Sequence, residues 1–194
     1  MNTPSTPIMP PSTGVRLCPL TEGSHILAAA PGADFADCYC FADPLPQASA
    51  LESYLALTAH TPNWMNALMA LRNQAVRWVG LKHLGALNAF GAGKPAAAYQ
   101  IGERIGIFSL LHLQPQEVVL TDNDKHLCVQ VSLFKHTVQG QAAVSLGTVV
   151  HIHNRLGHMY MSVVGPVHSL IVPLMLKQVL KQVTPNPGNS GGAN

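Results

Sequence analysis

The chain has 194 residues, of which 47% are apolar, enough for one domain with a stable hydrophobic core. Only 10% are charged, against about 25% in typical domains, and the formal charge of +2 comes without a lysine or arginine cluster, which argues against nucleic-acid binding. Four cysteines occur without a CxxC pair, and the sequence has neither a signal-peptide pattern nor an apolar run of ~18 residues. We therefore expect a cytoplasmic protein with reduced thiols and no membrane span.

The first half of the chain predicts a flexible start, one strand and two helices. Pro, Thr and Ser dominate residues 1–14, which predicts a disordered arm, and residues 184–194 predict a disordered tail after a single domain at 15–183. Within that domain, DFADCYCF alternates and carries aromatic residues, which is typical of a strand at 34–41. Helical spacing then predicts two helices, at 48–59 and 62–81. A Gly- and Pro-rich loop follows them at 91–103.

The second half predicts an antiparallel meander followed by a helix. Strand-like runs separated by short turns occupy five ranges: 106–114, 117–122, 125–138, 141–153 and 158–164. The apolar segment 166–183 predicts a final helix with a kink at Pro173. Because the apolar face of a meander needs a cover, we predict an α+β helix-grip fold. In this fold the sheet wraps around the long C-terminal helix, and two helices follow the first strand.

Five segments resemble, in the same order, a bacterial family catalogued as domain of unknown function 2867: WMNALMALRNQAVRWVGL, GERIGIF, EVVLTDNDKHLCVQVSL, TVVHIHNRLGHMY and VGPVHSLIVPLMLKQ. The resemblance covers about residues 33–180. It implies a START-like, birch-pollen-allergen-like helix-grip fold and no established chemistry. Cys128 and Gln130 depart from the family pattern, which has an acidic and a basic residue there, and Thr121 replaces a glycine.

Alternation within the strands assigns one apolar face to the interior. On this face, and on the inward side of the last helix, we place the wall of a cavity for a small hydrophobic molecule. Thr148 and His168 are the polar members of the wall. The other members are apolar: Leu111, Leu127, Val129, Val131, Leu146, Val150, Met159, Met161, Ile171 and Met175. The alternative is that these side chains fill the core and nothing binds.

The segment HIHNRLGH, residues 151–158, predicts a hairpin with histidines on the opposite, convex face. Its turn is expected at 154–157, where Gly157 can take a positive φ. A two-residue turn at 139–140 fixes the register of the preceding strand pair and places residue 129 opposite residue 150.

This register predicts a cluster of potential metal ligands. Cys128 falls opposite His151, His126 falls opposite His153, and the hairpin brings His158 beside His153. Imidazole and thiolate at such spacing could hold zinc or another transition metal. The competing interpretation, which we favour, is a solvated sheet face on which histidine is acceptable, so that no cofactor is expected.

Three functions remain open from the sequence. The first is binding of a small hydrophobic molecule in the cavity. The second is a cyclase- or hydrolase-like enzyme that uses polar groups at the cavity mouth, where Glu103, Arg104 and His168 are available. The third is a partner domain of a short-chain-dehydrogenase-like protein, suggested by fusions in the family that the chain resembles. A homodimer through the convex face is compatible with all three.

Overall fold

A computed structural model describes residues 14–77 and 94–183. The predicted tail and all but Gly14 of the predicted arm lie outside the described residues. So do the end of the second predicted helix and the first residues of the loop at 91–103.

The described chain forms one seven-stranded antiparallel sheet with three α-helices. The strands are β1 (Arg16–Leu17), β2 (Phe35–Ala42), β3 (Arg104–Ile105), β4 (Phe108–Leu113), β5 (Glu117–Asn123), β6 (Leu127–Val138) and β7 (Gln141–Ile152), in the spatial order β1-β2-β7-β6-β5-β4-β3. The helices are α1 (Ala50–Ala59), α2 (Asn63–Arg77) and α3 (Arg155–Val183). Short 3₁₀ turns lie at His25–Ala29 and Ala96–Ala98. This architecture confirms the predicted fold class; the strand predicted first is β2, because a two-residue strand precedes it.

Local sequence signals set the main elements. Ser49 caps α1 by accepting the backbone N–H of Glu52, whose carboxylate accepts the N–H of Ser49, so both ends of a capping box are satisfied. Gln139 and Gly140 both have positive φ, as a two-residue hairpin turn requires. The register predicted from that turn is confirmed, since Val129 lies opposite Val150.

The concave face of the sheet holds the main hydrophobic core. Leu133 on β6 and Val144 on β7 are fully buried there, and Leu146 packs beside them. From the opposite side, α3 contributes Val172 and Leu176, and α1 contributes further apolar side chains. The predicted cover of the apolar sheet face by the final helix is therefore confirmed.

The predicted strand at 158–164 is wrong, because α3 begins at Arg155 and includes it. Asn154 starts the helix, and its side-chain oxygen accepts the backbone N–H of Gly157 at 3.1 Å. Gly157 is helical and allows a close approach instead of a turn, since an added Cβ would collide with the His126 carbonyl oxygen. The apolar residues of this segment alternate, which predicts a strand, but they also fit the period of a helix.

The convex face is covered in part by residues 18–30. Glu117 on β5 is buried and fixes this segment, because its carboxylate accepts the backbone N–H of His25 at 2.6 Å and that of Ile26 at 3.3 Å. The same carboxylate accepts the hydroxyl of Ser132 at 2.6 Å. The expectation of a solvated convex face is wrong for this part of the sheet, since a preceding segment of the chain occupies it.

Helix α3 is long and apolar enough to cross a membrane by length and composition alone. Its most apolar 18-residue window has a mean hydropathy of 1.6, and 17% of that window is buried. A core helix passes the same test, so this is weak evidence for a span. The outer side of α3 carries a stripe of exposed apolar side chains: Met159, Val163, Val167, Leu170 and Leu174.

Two prolines, Pro166 and Pro173, lie inside α3 and remove two backbone donors. The carbonyl that Pro173 leaves without its helical partner is that of Ser169, four residues earlier. The Tyr39 hydroxyl of β2 donates to this carbonyl at 3.2 Å. A hydrogen bond from the sheet thus replaces one that the helix cannot make.

We expect Tyr39→Phe to lower the free energy of unfolding by about 1–2 kcal/mol, because the Ser169 carbonyl loses its donor. In a Pro173→Ala background the new N–H at 173 can bond Ser169, so the same Tyr39→Phe change should cost less than half as much. Urea denaturation of the four proteins in this cycle measures the coupling. Equal costs in both backgrounds would show that the hydroxyl does not replace the missing helix bond.

Candidate functional site

The predicted metal ligands are neighbours along the sheet, but their ring nitrogens are engaged separately. Cys128 lies opposite His151, as predicted, and the N–H of His153 donates to the carbonyl of His126 at 2.8 Å. His151 uses Nε2 to bond the Ala29 carbonyl at 2.8 Å. His153 uses Nδ1 to bond a main-chain carbonyl at 3.0 Å.

Two further observations show that the predicted histidine cluster does not come together. His126 turns Nδ1 to the Asn154 side-chain oxygen at 3.2 Å, and His158 lies in the first turn of α3 instead of on a strand. The predicted pairing of His158 with His153 across a hairpin is therefore wrong. Within residues 14–77 and 94–183, no group of three or more His, Cys, Asp or Glu side chains is arranged to hold a metal ion.

The predicted cavity residues divide by burial. Thr148 and Val150 are buried, while most of the others are partly buried between sheet and helix: Leu127, Val129, Val131, Leu146, Met161, His168, Ile171 and Met175. Leu111 and Met159 are 39% and 56% exposed and do not face the interior. At Leu111 the cause is a bulge in β4, which gives the buried position to Leu110; Met159 lies on the outer side of α3.

Strand β2 places a carboxylate on the concave face. Phe35, Asp37, Tyr39 and Phe41 share that face because they alternate along the strand. Tyr39 and Phe41 belong to the core, and Thr148 lies opposite Asp37 on β7. The Asp37 side chain is only 6% exposed.

His168 on α3 approaches this carboxylate. Its Nε2 atom lies 3.3 Å from Oδ2 of Asp37, within range of an ion pair when the imidazole is protonated. The ring also meets the Phe35 ring edge to face at 5.7 Å. The contact lacks hydrogen-bond geometry, and both Asp37 oxygens and His168 Nε2 are buried without a hydrogen-bond partner. We call Asp37, His168, Tyr39 and Thr148 the Asp37–His168 site.

Unpartnered polar atoms are concentrated at this site. Five buried side-chain polar atoms in the described residues lack a hydrogen-bond partner, and three of the five belong to Asp37 and His168. An unsatisfied buried acceptor costs free energy, and native structures retain few of them. The arrangement therefore leaves two carboxylate oxygens and one ring nitrogen buried without a hydrogen bond.

The other buried aspartate at the end of β2 is fully engaged. Asp43 forms an ion pair with Lys135 at 3.1 Å and accepts the N–H of Leu45 at 2.9 Å. Lys135 also bonds the carbonyls of Leu45 and Ala48, so this group holds the connection from β2 to α1. Burial alone does not explain why the Asp37 carboxylate lacks hydrogen bonds, because the Asp43 carboxylate is as deeply buried and has partners.

Tyr39 borders the site as a neutral donor. Burial raises the pKa of its hydroxyl, and the negative charge of Asp37 raises it further. The hydroxyl therefore keeps its proton near neutral pH and its bond to Ser169.

Sequence reasoning found His168 but missed Asp37. Glu103 and Arg104, the other predicted suppliers of polar chemistry, are engaged near β3: Glu103 with Lys94, and Arg104 with the Ile107 carbonyl. The signal for Asp37 was present in the strand itself. A lone carboxylate between Phe35, Tyr39 and Phe41 on an otherwise aromatic face marks a buried acid.

Comparison with known proteins gives a family. A family model described as protein of unknown function (DUF2867) matches residues 29–175. The chain belongs to the DUF2867 family. No curated protein matches it. Asp37 and His168 both lie within the part of the chain that the DUF2867 model matches.

In this DUF2867 protein we expect Asp37→Asn to raise the free energy of unfolding by about 1 kcal/mol at neutral pH, because a neutral amide is less costly to bury than an unpartnered carboxylate. Asp43→Asn is the matched control and should lower it by about 3 kcal/mol, because it leaves Lys135 buried without its counter-charge. Chemical denaturation measures both. A loss at Asp37 as large as that at Asp43 would identify Asp37 as a structural residue.

Proposed function

We propose that this protein is a START-like, helix-grip binder of a small, largely apolar molecule, held between the concave sheet face and α3. The observation that carries the proposal is the Asp37 carboxylate, which is buried among aromatic side chains with neither oxygen hydrogen-bonded. A bound molecule that donates to these oxygens would remove the cost of burying them.

The site chemistry favours one class of polar group on the ligand. Asp37 offers only acceptors when ionised, so the ligand group must be a donor, such as a hydroxyl or an amine. A ligand carboxylate would meet the Asp37 charge at short range and is disfavoured. The apolar surroundings, which include Phe35, Leu146 and Ile171, favour an aromatic or aliphatic body.

Entry to the site requires side chains of α3 to repack. Ile171 and Met175 now pack against the core beside Leu146. Met175 is unbranched and has a polarisable sulfur, so it can change rotamer at low cost and make room. We therefore expect binding to shift α3 or its side chains and leave the strands of the sheet in place.

The test uses a matched pair of probes, 2-naphthol and 2-methoxynaphthalene, which differ in one donated hydrogen bond. The unmodified protein should bind 2-naphthol about 10- to 100-fold more tightly, the range for a hydrogen bond to a charged group. Asp37→Leu should remove this preference while retaining binding of the methoxy compound. Fluorescence titration measures both. The proposal is overturned if neither probe binds, or if the preference persists in Asp37→Leu.

A second candidate function is acid–base catalysis at the same site, and the 3.3 Å approach of His168 to Asp37 favours it. In this arrangement Nδ1 of His168 would take a proton from a water molecule as the water oxygen attacks an ester carbonyl, and the Asp37 carboxylate beside Nε2 would stabilise the imidazolium that forms. The probe is 2-naphthyl acetate, whose hydrolysis should fall at least tenfold in His168→Gln. Hydrolysis at the same rate in His168→Gln would exclude the residue as a base for this ester.

A further inference from the structure

Three cysteine side chains meet on the convex face, away from the Asp37–His168 site. Cys18 follows β1 directly, and its backbone N–H donates to the Cys38 carbonyl at 2.9 Å. Cys38 and Cys40 are two residues apart in β2, so their side chains lie on the same face. The Cys18 Sγ atom donates to the Cys38 carbonyl oxygen at 3.6 Å, and Cys18 packs against the small cluster that contains Cys40. All four cysteines of the chain are free.

The strand register identifies the closest pair. Leu17 lies opposite Tyr39, which places the next residue, Cys18, opposite Cys38. Directly opposed residues of antiparallel strands have Cα atoms about 4.5–5.5 Å apart, within the range that a disulfide spans. Cys40 pairs instead with Arg16 across the same strands and is diagonal to Cys18.

Two hydroxyl groups and one imidazole lie beside the thiols. The Ser145 hydroxyl accepts from Thr21 at 2.7 Å and lies 2.8 Å from Nε2 of His136. The same ring nitrogen lies 4.0 Å from Sγ of Cys40. His136 is thus the titratable side chain that these contacts place beside Cys40.

Access and proton placement differ among the thiols. Cys38 and Cys40 are buried, at 1% and 7% exposure, whereas Cys18 is partly exposed. Contact with the Cys38 thiol raises the pKa of Cys18 to about 12. Contact with the Cys18 thiol lowers the pKa of Cys38.

We propose that Cys18 and Cys38 form a reversible disulfide by exchange with a low-molecular-weight disulfide such as oxidised glutathione. Cys18, the accessible thiol, gives its proton to solvent and attacks one sulfur of the small disulfide, and the small thiolate that leaves takes up a proton from solvent. The Cys38 thiolate then attacks the sulfur of Cys18, and the second small thiolate leaves and takes up the proton that Cys38 has lost. Two protein thiols are oxidised and one small disulfide is reduced to two thiols.

The bond would close a loop that contains the cover of the convex face. Residues between Cys18 and Cys38 include the 3₁₀ turn His25–Ala29, which Glu117 holds on the sheet. A cross-link at the base of this loop would restrict its opening. This assigns a covalent modification site to the face of the sheet opposite the proposed ligand.

The experiment equilibrates the full-length protein with mixtures of reduced and oxidised glutathione at about pH 8, where thiol exchange proceeds. Free thiols are then alkylated in acid-quenched samples, and peptides are identified by mass spectrometry. Before alkylation, the expected product is about 2 Da lighter than the reduced protein, and after digestion it yields a Cys18–Cys38 cross-linked peptide. Dithiothreitol should reverse it.

Four variants make the result specific. Cys40→Ser and Cys128→Ser should retain the cross-link, whereas Cys18→Ser and Cys38→Ser should abolish it. Circular dichroism of each reduced variant checks that it is folded. If Cys18→Ser or Cys38→Ser does not fold, the cross-link expected in Cys40→Ser and Cys128→Ser still tests the proposal. Three results would overturn the proposal: a stable glutathione adduct about 305 Da heavier at Cys18, a Cys18–Cys40 cross-link, or no oxidation at any glutathione ratio.

Discussion

The hydrogen bond from Tyr39 to the Ser169 carbonyl fixes where α3 lies along the sheet. Without it, Pro173 would leave the Ser169 carbonyl without a protein donor in the helix that closes the core. Because Tyr39 and Asp37 share one face of β2, and His168 precedes Ser169 on α3, this bond also sets the approach of His168 to Asp37. The hydrogen bond that compensates for the proline in α3 thus also positions the candidate site.

Three buried carboxylates of this protein differ in their hydrogen-bond and ion-pair partners. Glu117 accepts three hydrogen bonds and holds the cover of the convex face. Asp43 pairs with Lys135 and holds the connection to α1. Asp37 lies 3.3 Å from Nε2 of His168, but neither of its oxygens is hydrogen-bonded in the described residues, which is costly for a buried carboxylate. Proteins keep such groups at functional sites, where a ligand supplies the missing donor.

The parts of the fold that sequence could predict depend on local signals. The turn at Gln139–Gly140 fixes the register of β6 and β7, and alternation within those strands fixes which side faces the core. The failures depend on contacts between distant segments. No local pattern shows that residues 18–30 cover the convex face, because the deciding contact joins Glu117 to His25, 92 residues away. At 158–164 the pattern fitted two periods, and the cap at Asn154 decided in favour of a helix.

The candidate site was half predictable for the same reason. His168 was predicted because it lies in the first turn of the predicted last helix, where it could face the cavity, while the histidine cluster depended on a hairpin that does not form. Asp37 required the alternation of β2 to be followed through to the one charged residue on its inner face. A buried acid is visible in a sequence when its strand neighbours two positions away are aromatic, but its lack of partners is visible only in three dimensions.

The two edges of the sheet have a consequence for how copies of this protein behave at high concentration. Both edge strands, β1 and β3, are two residues long, and each begins with an exposed arginine, Arg16 or Arg104. An edge this short offers few main-chain groups to a strand from another molecule, and a positive charge on each edge repels an identical edge. Short, charged edges work against edge-to-edge polymerisation of a sheet built mostly from long, apolar strands, although β1 and β3 pair with only two residues each of β2 and β4.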